Sequence, residues 1–409
     1  MRRNAVLFVV ISVLSGFGST AMSLVAGIWI LDLTGSASRA ALAGLCVYAP
    51  TLFGPWLGGL LDRLPRRPLL VATNLLLAAS LLSLLAVRGP AQTWLIYAVS
   101  LAYGISYVLL DAGESALLPA ALPAGTLGEV NGWRSSAQEG MKLVAPLAGA
   151  GLYAWQGGGA VAVLCAALPV VGALLYLALR LTAVPASPER GLRAGSSVLL
   201  GRRVLRVTVT LAAVSIGVSG FAIAAQYEVV TVGLGLRSAF LGVLLSAHGA
   251  GSVAGGLIVG RLIARRGVTA IGVAGTVLFA AGLLARCLPW WPALVAGAVL
   301  GGVGLPWTLI AAVTAVQTHT PVELLGRVAA TANTVMFGPT APAIPLGAAA
   351  VQVGARATLL AGAALCLTAA VAAARRPGGL DRSAGHEETV RDGADLARGR
   401  VAPDGPGVR

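Results

Sequence analysis

Apolar runs long enough to cross a lipid bilayer recur along the whole chain, and a polypeptide that carries so many of them folds only in a membrane. A helical span needs about 20 predominantly apolar residues. The first run, behind Arg2 and Arg3, continues through Ile30. That exceeds the roughly 7–15 apolar residues of a secretory signal and reads as an uncleaved helix. Only 11% of the 409 residues are charged, against 57% hydrophobic. Soluble proteins carry about 25% charged residues, so this chain lacks the polar cover a water-exposed surface requires.

Turn and charge punctuation divides the runs into twelve predicted helices. They cover residues 5–31, 39–61, 68–87, 92–116, 134–156, 160–181, 204–231, 238–262, 268–286, 291–316, 327–353 and 355–374. The polar stretch before Arg203, with its prolines, glycines and arginines, separates six helices from six. The expected organisation is a six-helix half over residues 1–183, a cytoplasmic central loop over 184–203, a second half over 204–374 and a disordered cytoplasmic tail over 375–409.

The net charge of +14 would suggest nucleic acid in a soluble protein. Here its placement accounts for it. With the N-terminus inside, 23 basic residues fall on the cytoplasmic side and five (Arg39, Arg88, Arg237, Arg286 and Arg356) on the other. That asymmetry follows the positive-inside rule. It predicts a multi-pass protein of the cell membrane with both termini cytoplasmic, lipid as its surroundings and no nucleic-acid partner.

Several chemistries lack their residues. Cys46, Cys165, Cys287 and Cys366 stand singly in apolar segments, with neither metal nor disulfide spacing. No phosphate loop and no Gly-x-Ser-x-Gly site occur. No metal and no cofactor are expected. His319 is the only histidine candidate in a loop between helices for a membrane-enzyme reading.

The two halves echo each other. "GGLLDRLPRR" from Gly58 resembles "GGLIVGRLIARR" from Gly255, with Arg63 and Arg261 198 residues apart. "APLAGA" around Pro146 resembles "IPLGAA" around Pro345, 199 residues apart. Parallel six-helix repeats are a transporter architecture with the substrate site between the halves.

Gly58, Leu60, Asp62, Arg63, Arg66 and Arg67 match the loop between helices 2 and 3 of the major facilitator superfamily, glycine-x-leucine-x-aspartate-arginine-x-glycine-arginine-arginine. Pro65 stands where that pattern has its second glycine. "WILDLTGSASRAALAG", "ESALLPAALPAGTLGEVNG" and "LLGRVAATAN" resemble the drug:proton antiporter-3 branch, of the macrolide-efflux and enterobactin-exporter type. The branch's usual proline and arginine near the end of helix 4 are Ala112 and Glu114 here, and helix 4 has no arginine. The resemblance implies an all-α fold of twelve transmembrane helices in two pseudo-symmetric halves. It also implies an efflux antiporter that exchanges a small amphipathic molecule for protons by alternating access. Another cargo or direction, such as a siderophore exporter, a lysolipid flippase or an importer, fits the same residues. The chain is expected to act as a monomer.

Asp62 ends helix 2, and Arg66 and Arg67 can fold back toward it, Asp111 or Glu114. With Gly58 and Arg63 they form either a cytoplasmic gate, the role the resemblance implies, or a set of solvated topological anchors. Within the bilayer a charge costs about 2.5–3.5 kcal/mol on insertion scales and faces a cavity or a partner. Ser135, Gln138, Glu139, Lys142 and Pro146 share one face of helix 5, and Ser100, Tyr103, Tyr107, Asp111 and Glu114 one stripe of helix 4. Asp111, Glu114, Glu139 and Lys142 serve either proton coupling or a static salt-bridge set. Candidate cavity residues are Ser19, Tyr103, Tyr107, Gln138, Gln226 and Trp307, with Ser12, Ser15 and Ser23 on the Ser19 face of helix 1. His248 reads as a satisfied or titrating histidine. Pro339, Pro342 and Pro345 predict a kinked helix 11.

Overall fold

The computed structural model describes residues 2–53, 65–122, 126–180, 199, 201–321 and 324–375. In the first half, α1 is Arg2–Thr34, α2 is Ala37–Tyr48 with a 3-10 turn Ala49–Phe53, α3 is Arg66–Ser83 and α4 is Thr93–Ala121. The helical run Leu127–Ala178 is broken at Gly157, where φ is 77°, and comprises α5 (127–156) and α6 (158–178). In the second half, α7 is Arg203–Phe221, continued by Ile223–Glu228 and a π-turn Val229–Gly233. Then follow α8 (Phe240–Arg266), α9 (Val268–Ala285) and α10 (Trp291–Thr318). Last come α11, in two pieces Leu325–Phe337 and Thr340–Ala350, and α12 (Ala355–Ala374).

A straight helix of 52 residues would be about 78 Å long at 1.5 Å per residue, more than twice the hydrocarbon thickness of about 30 Å. The chain instead doubles back at Gly157. Gln138 of α5 lies beside Gly16 of α1, Gly158 beside Trp29, and Leu168 of α6 beside Gly18. Arg3 then donates to the Ala178 carbonyl at 2.8 Å. So α5 and α6 both run along α1 as a hairpin whose left-handed corner only glycine adopts readily.

The same device recurs in the second half. Gly35 (φ 64°) ends α1 and Gly235 (φ 62°) follows α7, 200 residues apart. Gly157 (φ 77°) precedes α6 and Gly354 (φ 140°) precedes α12, 197 residues apart. These offsets match those of the sequence echo and make the halves structural copies. Outward faces carry exposed apolar side chains such as Leu76, Leu174 and Leu257, as a lipid-bathed bundle requires.

The predicted boundaries differ at three places. Helix 5 begins at Leu127 rather than 134, so Arg134 lies within it. Helix 7 is interrupted at Ala222. Helix 11 is broken at Gly338 and Pro339, as its prolines predict. Helices approach closely through small residues. On α10, a Cβ at Gly302 would strike the His248 carbonyl of α8, and one at Gly304 would lie 2.5 Å from the Gly275 carbonyl of α9.

Candidate functional site

The core differs between the two ends of the bundle. At the end away from the termini, one apolar cluster runs continuously from Val25, Ile28 and Ala41 in the first half to Ala224, Leu241 and Ile344 in the second. At the terminal end it separates. One cluster, around Phe8, Leu70 and Tyr176, belongs only to the first half. The other, around Leu205, Val316 and Val328, belongs only to the second. Among the described residues, the halves are therefore welded at the far end and have separate cores at the terminal end.

Polar ties reinforce the weld. The Ser238 hydroxyl donates to Asp32 Oδ2 at 3.1 Å, and the Tyr153 hydroxyl donates to the same oxygen at 3.0 Å. Ser38 donates to the Ala348 carbonyl at 2.7 Å and accepts from Gln352 Nε2 at 2.8 Å. A Cβ on Gly27 of α1 would collide with the Tyr227 hydroxyl of α7. Gly242 and Gly249 of α8 bring that helix against the α5 backbone at Pro146 and Lys142.

Near the terminal end, one carboxylate draws four helices together. Glu114 of α4 is 7% exposed. One of its oxygens accepts from the Arg134 guanidinium of α5 and the other from the Tyr176 hydroxyl of α6. Arg134 Nε also donates to Ser12 Oγ of α1 at 3.1 Å, and Nη1 to Asn131 Oδ1 at 3.2 Å. In the sequence Arg134 is one of the basic residues of the cytoplasmic side, and Tyr176 stands in an apolar run. A guanidinium enters the bundle here because a carboxylate meets it there.

Glu139 and Lys142 do pair, at 2.5 Å, but both are about half exposed at 46% and 51%. Asp111, exposed on α4, makes no ion pair with any described residue. Gly58, Asp62 and Arg63 of the expected gate lie outside the described residues. Arg66 and Arg67 open α3. One turn on, Leu70 packs where a Cβ on Gly113 would be, next to Glu114. The gate arginines thus begin within a turn of the Glu114 network, but it is Arg134 that holds this carboxylate.

Ser19, Tyr103 and Tyr107 line a hollow of about 40 Å³ with Ser23, Val47 and Ser100. That is room for water rather than for an organic molecule. Gln138 packs against Gly16. Trp307 donates its indole N–H to the Gly255 carbonyl at 3.0 Å and lies between α8 and α9. Gln226 accepts from Arg286 Nη1 at 3.0 Å. His248 lies within electrostatic reach of Arg286 and Lys142, with the Ala298 backbone as its hydrogen-bond partner. His319 ends α10, and its carbonyl accepts from Arg202 Nη1 at 2.7 Å. A larger hollow of about 420 Å³, between Val232, Leu288 and Arg356, is walled by the second half alone.

Residues 6–232 and 207–398 match the sequence profile of the Major Facilitator Superfamily. The chain belongs to this family. Among major facilitator proteins, macrolide efflux protein A of Streptococcus pyogenes is 28% identical over 132 residues. That match spans 31% of this chain and about a third of the relative's length (33%). A bacterial homolog of the human lysosomal transporter Spinster, in an inward-facing and unoccupied conformation, superposes with a TM-score of 0.71 at 13% identity, covering 91% of this chain and 96% of that one. A bacterial homologue of the iron transporter ferroportin, in an inward-facing state, gives 0.68 at 15% identity, covering 92% and 100%. The major facilitator fold, twelve helices in two pseudo-symmetric halves, is thus the fold of this chain, and the protein is a multi-pass membrane transporter.

Proposed function

We propose that the protein is a proton-coupled exporter of a small amphipathic organic molecule, working by alternating access through a cleft that opens to the cytoplasm at the terminal end. The observation that carries this reading is the core that is continuous at the far end and split at the terminal end. Such a core, among the described residues, supports a state in which the halves part at the terminal end, as alternating access requires. The arginine asymmetry supports assigning the terminal end to the cytoplasm and the protein to the cell membrane. The partial likeness to a macrolide efflux protein supports outward transport of an amphipathic cargo.

Asp111 and Glu114 supply the coupling chemistry in this reading. Glu114 is buried and bound across four helices, whereas Asp111, three residues earlier on α4, stands exposed. Protonating Glu114 discharges the acceptor that holds α1, α4, α5 and α6 together, and so biases the halves between their two states. Lys142 and Glu139 form a half-exposed pair on α5. The loop with Gly58, Asp62, Arg63, Arg66 and Arg67 acts as the gate of the cytoplasmic mouth. Asp62→Asn slows turnover of a folded protein in this reading, and unaltered turnover reduces the loop to an anchor.

The test is accumulation of a panel of amphipathic antibiotics in cells with and without the protein, with and without an uncoupler. Lower accumulation that the uncoupler abolishes is expected. Accumulation raised by the protein reverses the direction, and lowered accumulation that ignores the uncoupler removes proton coupling.

A further inference from the structure

Arg286 is the last residue of the ninth predicted helix (268–286), on the non-cytoplasmic side of the charge asymmetry. The structure turns it inward from the end of α9, where it is 7% exposed. A guanidinium stays charged in proteins, and one buried without a counter-charge is strongly destabilising. Yet Arg286 forms no ion pair with any described carboxylate. Nη1 donates to the neutral amide of Gln226, and Nε, fully buried, has no acceptor among the described residues. His248 on α8 lies within electrostatic reach of Arg286 and of Lys142 on α5, and Lys142 is itself paired with Glu139.

Beside these groups α10 has glycines. A carbon at the Cβ position of Gly301 would stand 3.3 Å from Arg286 Nη2 and 3.7 Å from His248 Nδ1, with the Phe279 ring at 3.6 Å. Glycine keeps a methyl group from crowding the guanidinium and the imidazole there. Gly297 lets the arginine stem pass, since a Cβ there would be 3.0 Å from Arg286 Cγ.

We propose that Arg286, Gln226 and His248 form an anion-binding site in the second half, closed on one side by Gly301, that takes a compact monovalent anion. The anion is a carboxylate borne by the cargo or an inorganic ion such as chloride. Arg286 supplies the charge and its unused N–H donors. Gln226 holds the guanidinium in place, and His248 lines the opposite wall. Lys142, half exposed beside the α5–α8 seam, marks the side from which an anion arrives. Only the cargo arm rests on the exporter reading; binding itself needs no gradient.

The experiment is thermal unfolding of the purified full chain in detergent, titrated with sodium chloride, acetate or benzoate against gluconate at constant ionic strength. A ligand that binds the folded state raises Tm saturably. A saturable rise with chloride alone assigns the site to an inorganic ion, and one with acetate or benzoate assigns it to a carboxylate. Arg286→Gln removes the charge. Gly301→Ala crowds the guanidinium and the imidazole with a methyl group and leaves every donor in place, so it keeps the test open where Arg286→Gln does not fold. Each variant is expected to raise the half-saturating concentration at least about tenfold, the worth of one charge-assisted hydrogen bond. No saturable effect in the wild type, or equal titrations in wild type and Gly301→Ala, overturns the proposal, whatever the outcome of the transport assay.

Discussion

The Arg134 guanidinium of α5 donates to the carboxylate of Glu114 on α4, inside the first half rather than in a cytoplasmic loop. Tyr176 donates to the other oxygen of that carboxylate. Removing one partner of a buried ion pair leaves a bare charge and costs about 3–5 kcal/mol. Removing a neutral donor to a charge costs about 1.5–3 kcal/mol. Arg134→Met should therefore lower the unfolding temperature in detergent more than Tyr176→Phe does. The reverse order would show that Glu114 depends mainly on the phenol.

Glu139 and Glu114 should separate in function. Glu139 and Lys142 are about half exposed, and exposed pairs contribute about 0–1 kcal/mol. Glu139→Gln should leave the melting temperature nearly unchanged and transport still sensitive to the uncoupler. Glu114→Gln keeps an oxygen for Arg134 or Tyr176 but cannot cycle a proton. It should yield folded protein whose transport no longer responds to the pH gradient. Gradient-driven transport retained in Glu114→Gln and lost in Glu139→Gln would move coupling to α5.

What was legible in the sequence was what period and length encode. Spans, the two-half echo and the break in α11 follow from apolar runs, offsets and prolines, because lipid leaves helices few alternatives. Charges near helix ends were less legible. Arg134 and Arg286 stand at the ends of predicted helices and look like topological arginines until their surroundings are known: Glu114 lies 20 residues upstream of one, and the glycines of α10 pack against the other. Tyr176 gave no signal, since a tyrosine in an apolar run is ordinary until a carboxylate from another helix meets it. Asp32 stood in a stretch that resembled the antiporter branch, but only the fold brings it to Ser238. Glu139 and Lys142, three residues apart, were legible because a helix alone pairs them.

The weld at the far end should be separable from the chemistry. Ser38 of α2 and Gln352 after α11 come from different halves and hydrogen-bond at 2.8 Å. Cysteines at both positions, in a chain with Cys46, Cys165, Cys287 and Cys366 replaced, should react with a short bifunctional thiol reagent. The cross-linked protein should keep its fold and lose transport, and cleaving the linker should restore it. Transport undiminished by a complete cross-link would mean that the far end never opens.

Close helix packing gives the last expectation. A Cβ at Gly302 would strike the His248 backbone carbonyl, which cannot swing aside as a side-chain tip can, whereas nothing lies within 4 Å of a Cβ at Gly256. Overpacking a tight site costs about 1–3 kcal/mol, while alanine is favoured over glycine in a helix by about 0.8–1 kcal/mol. The two substitutions should therefore shift thermal stability in opposite directions: Gly302→Ala down, Gly256→Ala unchanged or up. Because Gly302 seats α10 on α8 beside His248, Gly302→Ala should also disturb the Arg286 site, and Gly256→Ala should leave it alone. Equal melting temperatures for the two variants would show that α8 and α10 are held less tightly than their backbone contact implies.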